Sequence, residues 1–137
     1  MEQTQKPTQV AIFEDSTNIR NLVKAAIERD NNYKQEVVAE AETLEEALDT
    51  LDNAASSENE LAIDVLILDG NLTQQQISGD DAKEIVYRIQ ELKLPTKIIG
   101  FSQQPFESFG LKPDYDHTKA GPLLELPGII NSLHRPE

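Results

Sequence analysis

One short run limits the folds open to this chain: Asp64-Val65-Leu66-Ile67-Leu68-Asp69-Gly70. Four apolar residues stand between two carboxylates, with a glycine behind the second. An apolar run this short, bounded by turn residues, is the pattern of a strand covered on both faces. Such strands belong to parallel sheets with helices above and below. A carboxylate at the carboxyl end of one stands in the crevice where open α/β sheets bind ligands. What can join Asp69 there depends on the order of the other elements.

That order alternates. Residues 1–8 are polar and are expected to form a disordered tail. Residues 9–13, QVAIF, form a short apolar strand that ends in Glu14-Asp15. Asp15 or Ser16 can cap a helix in which Ile19, Leu22, Val23, Ala26 and Ile27 keep helical spacing. Residues 36–41 form a second strand. Thr43, with Glu46 three residues on, is then a capping box for a second helix with Leu44, Ala47, Leu48 and Leu51 on one face. Residues 54–60 read as a polar loop.

The strand ending at Asp69 comes third, followed by a long loop over residues 70–79. Asp80-Asp81 opens a helix with Ile85, Val86, Ile89 and Leu92 inward, and Pro95 stops that element. Residues 97–101 form a fourth strand ending at Ser102. Two prolines and a glycine between residues 103 and 113 leave room for a short helix at most. Residues 115–118 form a weak fifth strand ending at Lys119, and Gly121-Pro122 opens a last helix that Pro127 bends or splits. The expectation is an α/β domain over residues 9–135. Its doubly wound, five-stranded parallel sheet is flavodoxin-like, with the fourth helix shortened or lost.

Composition narrows the function. A length of 137 residues suits one domain with a core of its own. The absence of cysteine excludes disulfides, thiolate metal sites and thiol nucleophiles. Neither a signal peptide nor a membrane span is expected, which points to the cytoplasm. Twenty-five acidic residues against 12 basic ones give a net charge of −13, which repels a phosphate backbone, so no direct nucleic-acid partner is expected. Much of the acidity lies between Glu36 and Glu60 and reads as a solvated face.

In a parallel sheet all strand ends point the same way, so Glu14 and Asp15, Asp69, Ser102 and Lys119 converge. Crowded carboxylates repel one another unless a cation lies between them, and an all-oxygen donor set suits Mg²⁺. Asp69 can then serve as a nucleophile towards a phosphoryl group, because the cation offsets the charge of two approaching anions. A hydroxyl at Ser102 and an ammonium at Lys119 would hold the transferred oxygens.

This series resembles the receiver domain of bacterial two-component response regulators. The resemblance makes Asp69 the phosphoacceptor, and Glu14, Asp15 and Asp69 the metal ligands, with a backbone carbonyl from Asn71. It gives Ser102 and Lys119 to the phosphoryl oxygens, and Arg20 also stands where the family often has arginine. It implies a sensor histidine kinase or histidine phosphotransfer protein as donor. Output would pass to a downstream protein through contacts or onward phosphotransfer. The domain would not be an enzyme beyond its own phosphotransfer and dephosphorylation.

The sequence departs from the family in four respects. The span from Asp15 to Asp69 is long, and that from Ser102 to Lys119 is short. Lys119 precedes Ala120 where proline is usual. The family's switch aromatic lies three residues before the lysine, a place held here by Asp116, with Tyr115 and His117 on either side. The switch pair is therefore Ser102 with Tyr115, and the coupling between them is open. His117 reads as a partly exposed strand residue and His134 as a helix-end cation. Two alternatives stand beside the phosphoacceptor. One is a receiver-like interaction module that cycles no phosphate. The other is a phosphohydrolase of the haloacid dehalogenase type, whose Asp-x-Asp-x-Thr signature Asp69-Gly70-Asn71-Leu72-Thr73 resembles apart from Asn71.

Overall fold

A computed structural model describes residues 7–56, 62–69, 80–102, 105–118 and 121–134. Among these lie five strands: β1 (Thr8–Phe13), β2 (Gln35–Ala41), β3 (Val65–Leu68), β4 (Lys97–Gly100) and β5 (Tyr115–Asp116). Four α-helices accompany them: α1 (Thr17–Glu28), α2 (Leu44–Ala55), α3 (Asp80–Leu92) and α4 (Leu126–Leu133). The sheet order is β2-β1-β3-β4-β5, and every pairing is parallel. This is the expected flavodoxin-like order, which reverses direction between β1 and β3.

The two faces of the sheet explain the apolar runs. Ala11, Phe13, Leu66 and Leu68 pack with Ala47 and Leu51 of α2 and with Ala82, Ile85 and Ile89 of α3. Val10, Ile12, Val65 and Ile67 pack on the other face with Val23 and Ile27 of α1 and Leu126 and Ile130 of α4. All four residues of β3 are fully buried, so alternation would have placed polar side chains against a helix instead of solvent.

The helix ends follow their local chemistry. Ser16 caps α1 through its hydroxyl, which accepts the Ile19 N–H at 3.3 Å. Thr43 caps α2 by accepting the Glu46 N–H at 3.1 Å, while the Glu46 carboxylate reaches back to the Glu42 N–H at 3.0 Å. The reciprocal bond falls one residue earlier than in a standard capping box. α3 ends in a Schellman turn: Leu94 N–H bonds the Ile89 carbonyl at 3.1 Å and Lys93 N–H the Gln90 carbonyl at 3.2 Å. Lys93 takes the left-handed position, with φ of 55°.

Several boundaries differ from the sequence reading. β1 begins at Thr8, which is buried and donates its N–H to the Lys34 carbonyl at 2.9 Å. α2 continues to Ala55, into the stretch read as loop. β5 is only two residues long. The last helix starts at Leu126 behind a 3₁₀ turn, Leu123–Glu125, because Pro127 is tolerated only in a first turn. In place of a fourth helix between β4 and β5 stands one 3₁₀ turn, Phe106–Phe109, closed by Gly110 at φ of 77°. A side chain is rarely held at that φ, and glycine takes it without cost.

Candidate phosphoacceptor site

The site follows from the register. Ala41, Phe13, Leu68, Gly100 and Asp116 form one row across the sheet, from β2 to β5. The backbone ladder runs one residue beyond that row. Glu14 N–H bonds the Ala41 carbonyl at 2.9 Å, Asp69 N–H the Phe13 carbonyl at 2.9 Å, Phe101 N–H the Leu68 carbonyl at 2.8 Å and His117 N–H the Gly100 carbonyl at 2.8 Å. Glu14 and Asp69 are thus neighbours, fixed by main chain at the point where the strand order reverses. Ser102 follows Phe101 by one residue at the same end of the sheet, past β4.

Three carboxylates meet there. Oxygens of Glu14, Asp15 and Asp69 all lie within 4.8 Å of one another. Glu14 is 1% exposed and Asp69 4%, whereas Asp15 is partly open to solvent. Two carboxylates so close and so poorly hydrated repel strongly at low local dielectric. A divalent cation with oxygen ligands relieves that repulsion, so the donor set fits Mg²⁺. Glu14 is oriented by the Ser16 N–H, which donates to its Oε2 at 2.9 Å. Asp15 is therefore the carboxylate of the pair with room to turn towards a solvated ion.

Arg20 braces the same strand end. Its Nη1 donates to the Glu14 carbonyl at 2.8 Å and its Nε to Glu40 Oε1 at 3.1 Å. Glu42 Oε2 is 3.7 Å from Nη2, and Lys24 Nζ reaches the other Glu40 oxygen at 3.4 Å. With its side chain only 13% exposed, Arg20 joins β1 to the acidic end of β2. A single guanidinium thereby fixes the backbone of Glu14 and offsets the charge of two glutamates.

The remaining residues singled out in the sequence are placed unequally. Ser102 is buried, at 4% exposure. Asn71 and Lys119 lie outside the described residues. Tyr115 is 41% exposed on the edge strand, with its ring 6.4 Å from that of His117. His117 is not partly exposed as expected: it is 4% exposed, stacks on Phe101 at 5.9 Å, and bonds the Pro122 carbonyl through Nε2 at 2.9 Å. Gly121 makes this possible, since a Cβ there would stand 2.9 Å from the imidazole Cε1. His134 ends α4 with its Nε2 3.6 Å from Asp64 Oδ2, at the opposite end of β3 from Asp69.

The sequence reading missed what Asp116 does. Its Oδ2 accepts the Phe106 N–H at 2.7 Å, capping the 3₁₀ turn that replaces the fourth helix. The only signal was a carboxylate in a strand position where the family has an aromatic.

No protein-family model matches the chain, and no curated protein does either. Solved structures do. A response regulator receiver protein from Sinorhizobium medicae is 15% identical with a TM-score of 0.70, over 93% of this chain and 94% of its own. The phosphorylated cyanobacterial phytochrome response regulator RcpA is 21% identical with a TM-score of 0.65, over 93% and 91%. A chain from the complex of the CheA3 P1 domain with CheY6 of R. sphaeroides is 23% identical with a TM-score of 0.62, over 93% and 97%. At these identities the likeness is one of fold. The strand order, the two-faced core and these neighbours give the chain the fold of a response regulator receiver domain.

Proposed function

We propose that this chain is a phosphoacceptor signalling domain, in which Asp69 takes a phosphoryl group from phosphohistidine on a sensor histidine kinase or histidine phosphotransfer protein. The observation that carries this reading is the meeting of Glu14, Asp15 and Asp69 within 4.8 Å at the switch point between β1 and β3. That phosphorylated RcpA and a chain from the CheA3 P1–CheY6 complex share the fold supports both the chemistry and the kind of partner.

In this reading an Asp69 carboxylate oxygen attacks phosphorus in line with the P–N bond. That bond breaks, and the imidazole nitrogen leaves with its electron pair and takes up a proton. Mg²⁺ held by Glu14, Asp15, Asp69 and the Asn71 carbonyl would offset the charge between the two anions. Glu14 is held by the Ser16 N–H and the Arg20 brace, so its carboxylate need not reorganise during transfer. The Ser102 hydroxyl donates to a transferred oxygen, and Lys119 supplies a cation to another. The aspartyl phosphate then biases the region around β4 and β5 towards a second arrangement, read by a downstream protein in the cytoplasm.

Incubation with Mg²⁺ and a small phosphodonor such as phosphoramidate is expected to add one phosphate, measured by intact mass. Asp69→Asn should take up none. Label retained in that variant sinks the assignment.

A further inference from the structure

Ser102 lies between two ties to consecutive residues, Asp116 of β5 and His117 just past its end. Before it, the Gly100 carbonyl accepts the His117 N–H at 2.8 Å. After it, the Phe106 N–H donates to Asp116 Oδ2 at 2.7 Å. The second tie is charge-assisted and therefore among the stronger kind. Pro105 offers no side-chain cap to the 3₁₀ turn, so the carboxylate from β5 supplies the cap instead.

The fit around this tie is close. Phe106 is fully buried in the core beneath Leu68 and Phe109. A Cβ on Gly100 would stand 2.9 Å from the Phe106 ring and 3.0 Å from Asp116 Oδ1. Next to it, Phe101 stacks on the His117 ring. Ser102 thus follows Phe101, packed on His117 just past β5, and comes before Phe106, bonded to Asp116 of β5.

From this geometry we infer that Asp116 is a positioning residue for Ser102. Its carboxylate binds the Phe106 N–H four residues after the hydroxyl and packs against Gly100 two residues before it, so that Ser102 is set for an anion on Asp69 before the anion arrives. An aromatic at this place could move with the serine, but it could not accept the Phe106 N–H. A carboxylate does the reverse: it preorganises the hydroxyl and resists its displacement. This inference rests on the reading of Asp69 as phosphoacceptor.

The test is beryllofluoride, which mimics a phosphoryl group on aspartate, bound to the full chain with Mg²⁺ and followed by fluorine NMR or calorimetry. Asp116→Ala should weaken its affinity by about tenfold, the scale of one lost charge-assisted hydrogen bond. Asp116→Asn keeps an acceptor oxygen and should restore most of that loss. Mg²⁺ affinity without beryllofluoride should not change in either variant, because the ligating carboxylates stand on β1 and β3. Hydrogen exchange at the Phe106 amide should quicken in Asp116→Ala and stay slow in Asp116→Asn. A wild-type protein that binds no beryllofluoride overturns the acceptor reading and this role with it. Wild-type affinity in Asp116→Ala overturns this role alone, as does a parallel loss of Mg²⁺ affinity, which would mark general damage to the fold.

Discussion

At the scale of single residues, Gly100 shows how little space the region beside Ser102 leaves. No backbone angle demands glycine there; the demand is steric. Its ideal Cβ would meet the Phe106 ring at 2.9 Å and Asp116 Oδ1 at 3.0 Å. Both neighbours are held, one by full burial and the other by its bond to the Phe106 N–H. Gly100→Ala should therefore cost about 1–3 kcal/mol by overpacking, read as a lower midpoint in denaturant with unchanged slope. A loss below half that range would mean that Phe106 can tilt aside, and the tie to Asp116 would be looser than drawn. Glu14 and Asp69 were easier to foresee, since a carboxylate directly behind an apolar strand has few places to go. The roles of Gly100 and Asp116 were not foreseeable, because each depends on a contact between β4, β5 and a turn that the alternation of apolar residues does not encode.

At the scale of elements, β1, β3 and β4 were readable because burial on both faces leaves an unbroken apolar run. The caps at Ser16 and Thr43 were readable for a local reason, as each side chain bonds an N–H three residues on. The end of the chain was harder. Residues 123–125 continue the helical spacing, but Pro127 has no N–H to give and fits only near the start of a helix, so the α-helix begins at Leu126. The end of α3 holds another feature that pattern alone does not reveal, a lysine in the left-handed region. Lys93 occupies the place in its Schellman turn that glycine usually takes, and an L side chain pays a conformational cost there. Glycine's greater freedom in the unfolded chain cancels part of the gain. Lys93→Gly should still raise stability by about 0.5–1 kcal/mol, with phosphorylation unaffected, since the turn lies before β4 rather than after it. A destabilised Lys93→Gly in chemical denaturation would show that the Lys93 side chain makes contacts worth more than its backbone costs.

For the whole molecule, a net charge of −13 acts against the compact state, and the crevice gathers three of its carboxylates within 4.8 Å. Two effects of Mg²⁺ follow, and they can be separated. Any salt screens the general repulsion, and at equal ionic strength NaCl and MgCl₂ should screen it to a similar degree. A site ligated by Glu14, Asp15 and Asp69 adds a specific term, because the unfolded chain holds no such arrangement. At a hundredfold excess of Mg²⁺ over its dissociation constant that term is about 2.7 kcal/mol, which for a chain of this size raises Tm by about 9 °C. Asp15 is the carboxylate to remove, as it is the most solvated of the three and its loss disturbs the core least. Asp15→Asn should raise Tm slightly without Mg²⁺, since one like charge has gone, and should abolish the gain that Mg²⁺ gives over NaCl. Opposite signs in the two conditions are a stronger sign of a shared cation than either shift alone. If Mg²⁺ stabilises the wild type no more than NaCl at matched ionic strength, the three carboxylates hold no ion, and the phosphoryl chemistry proposed for Asp69 loses its metal.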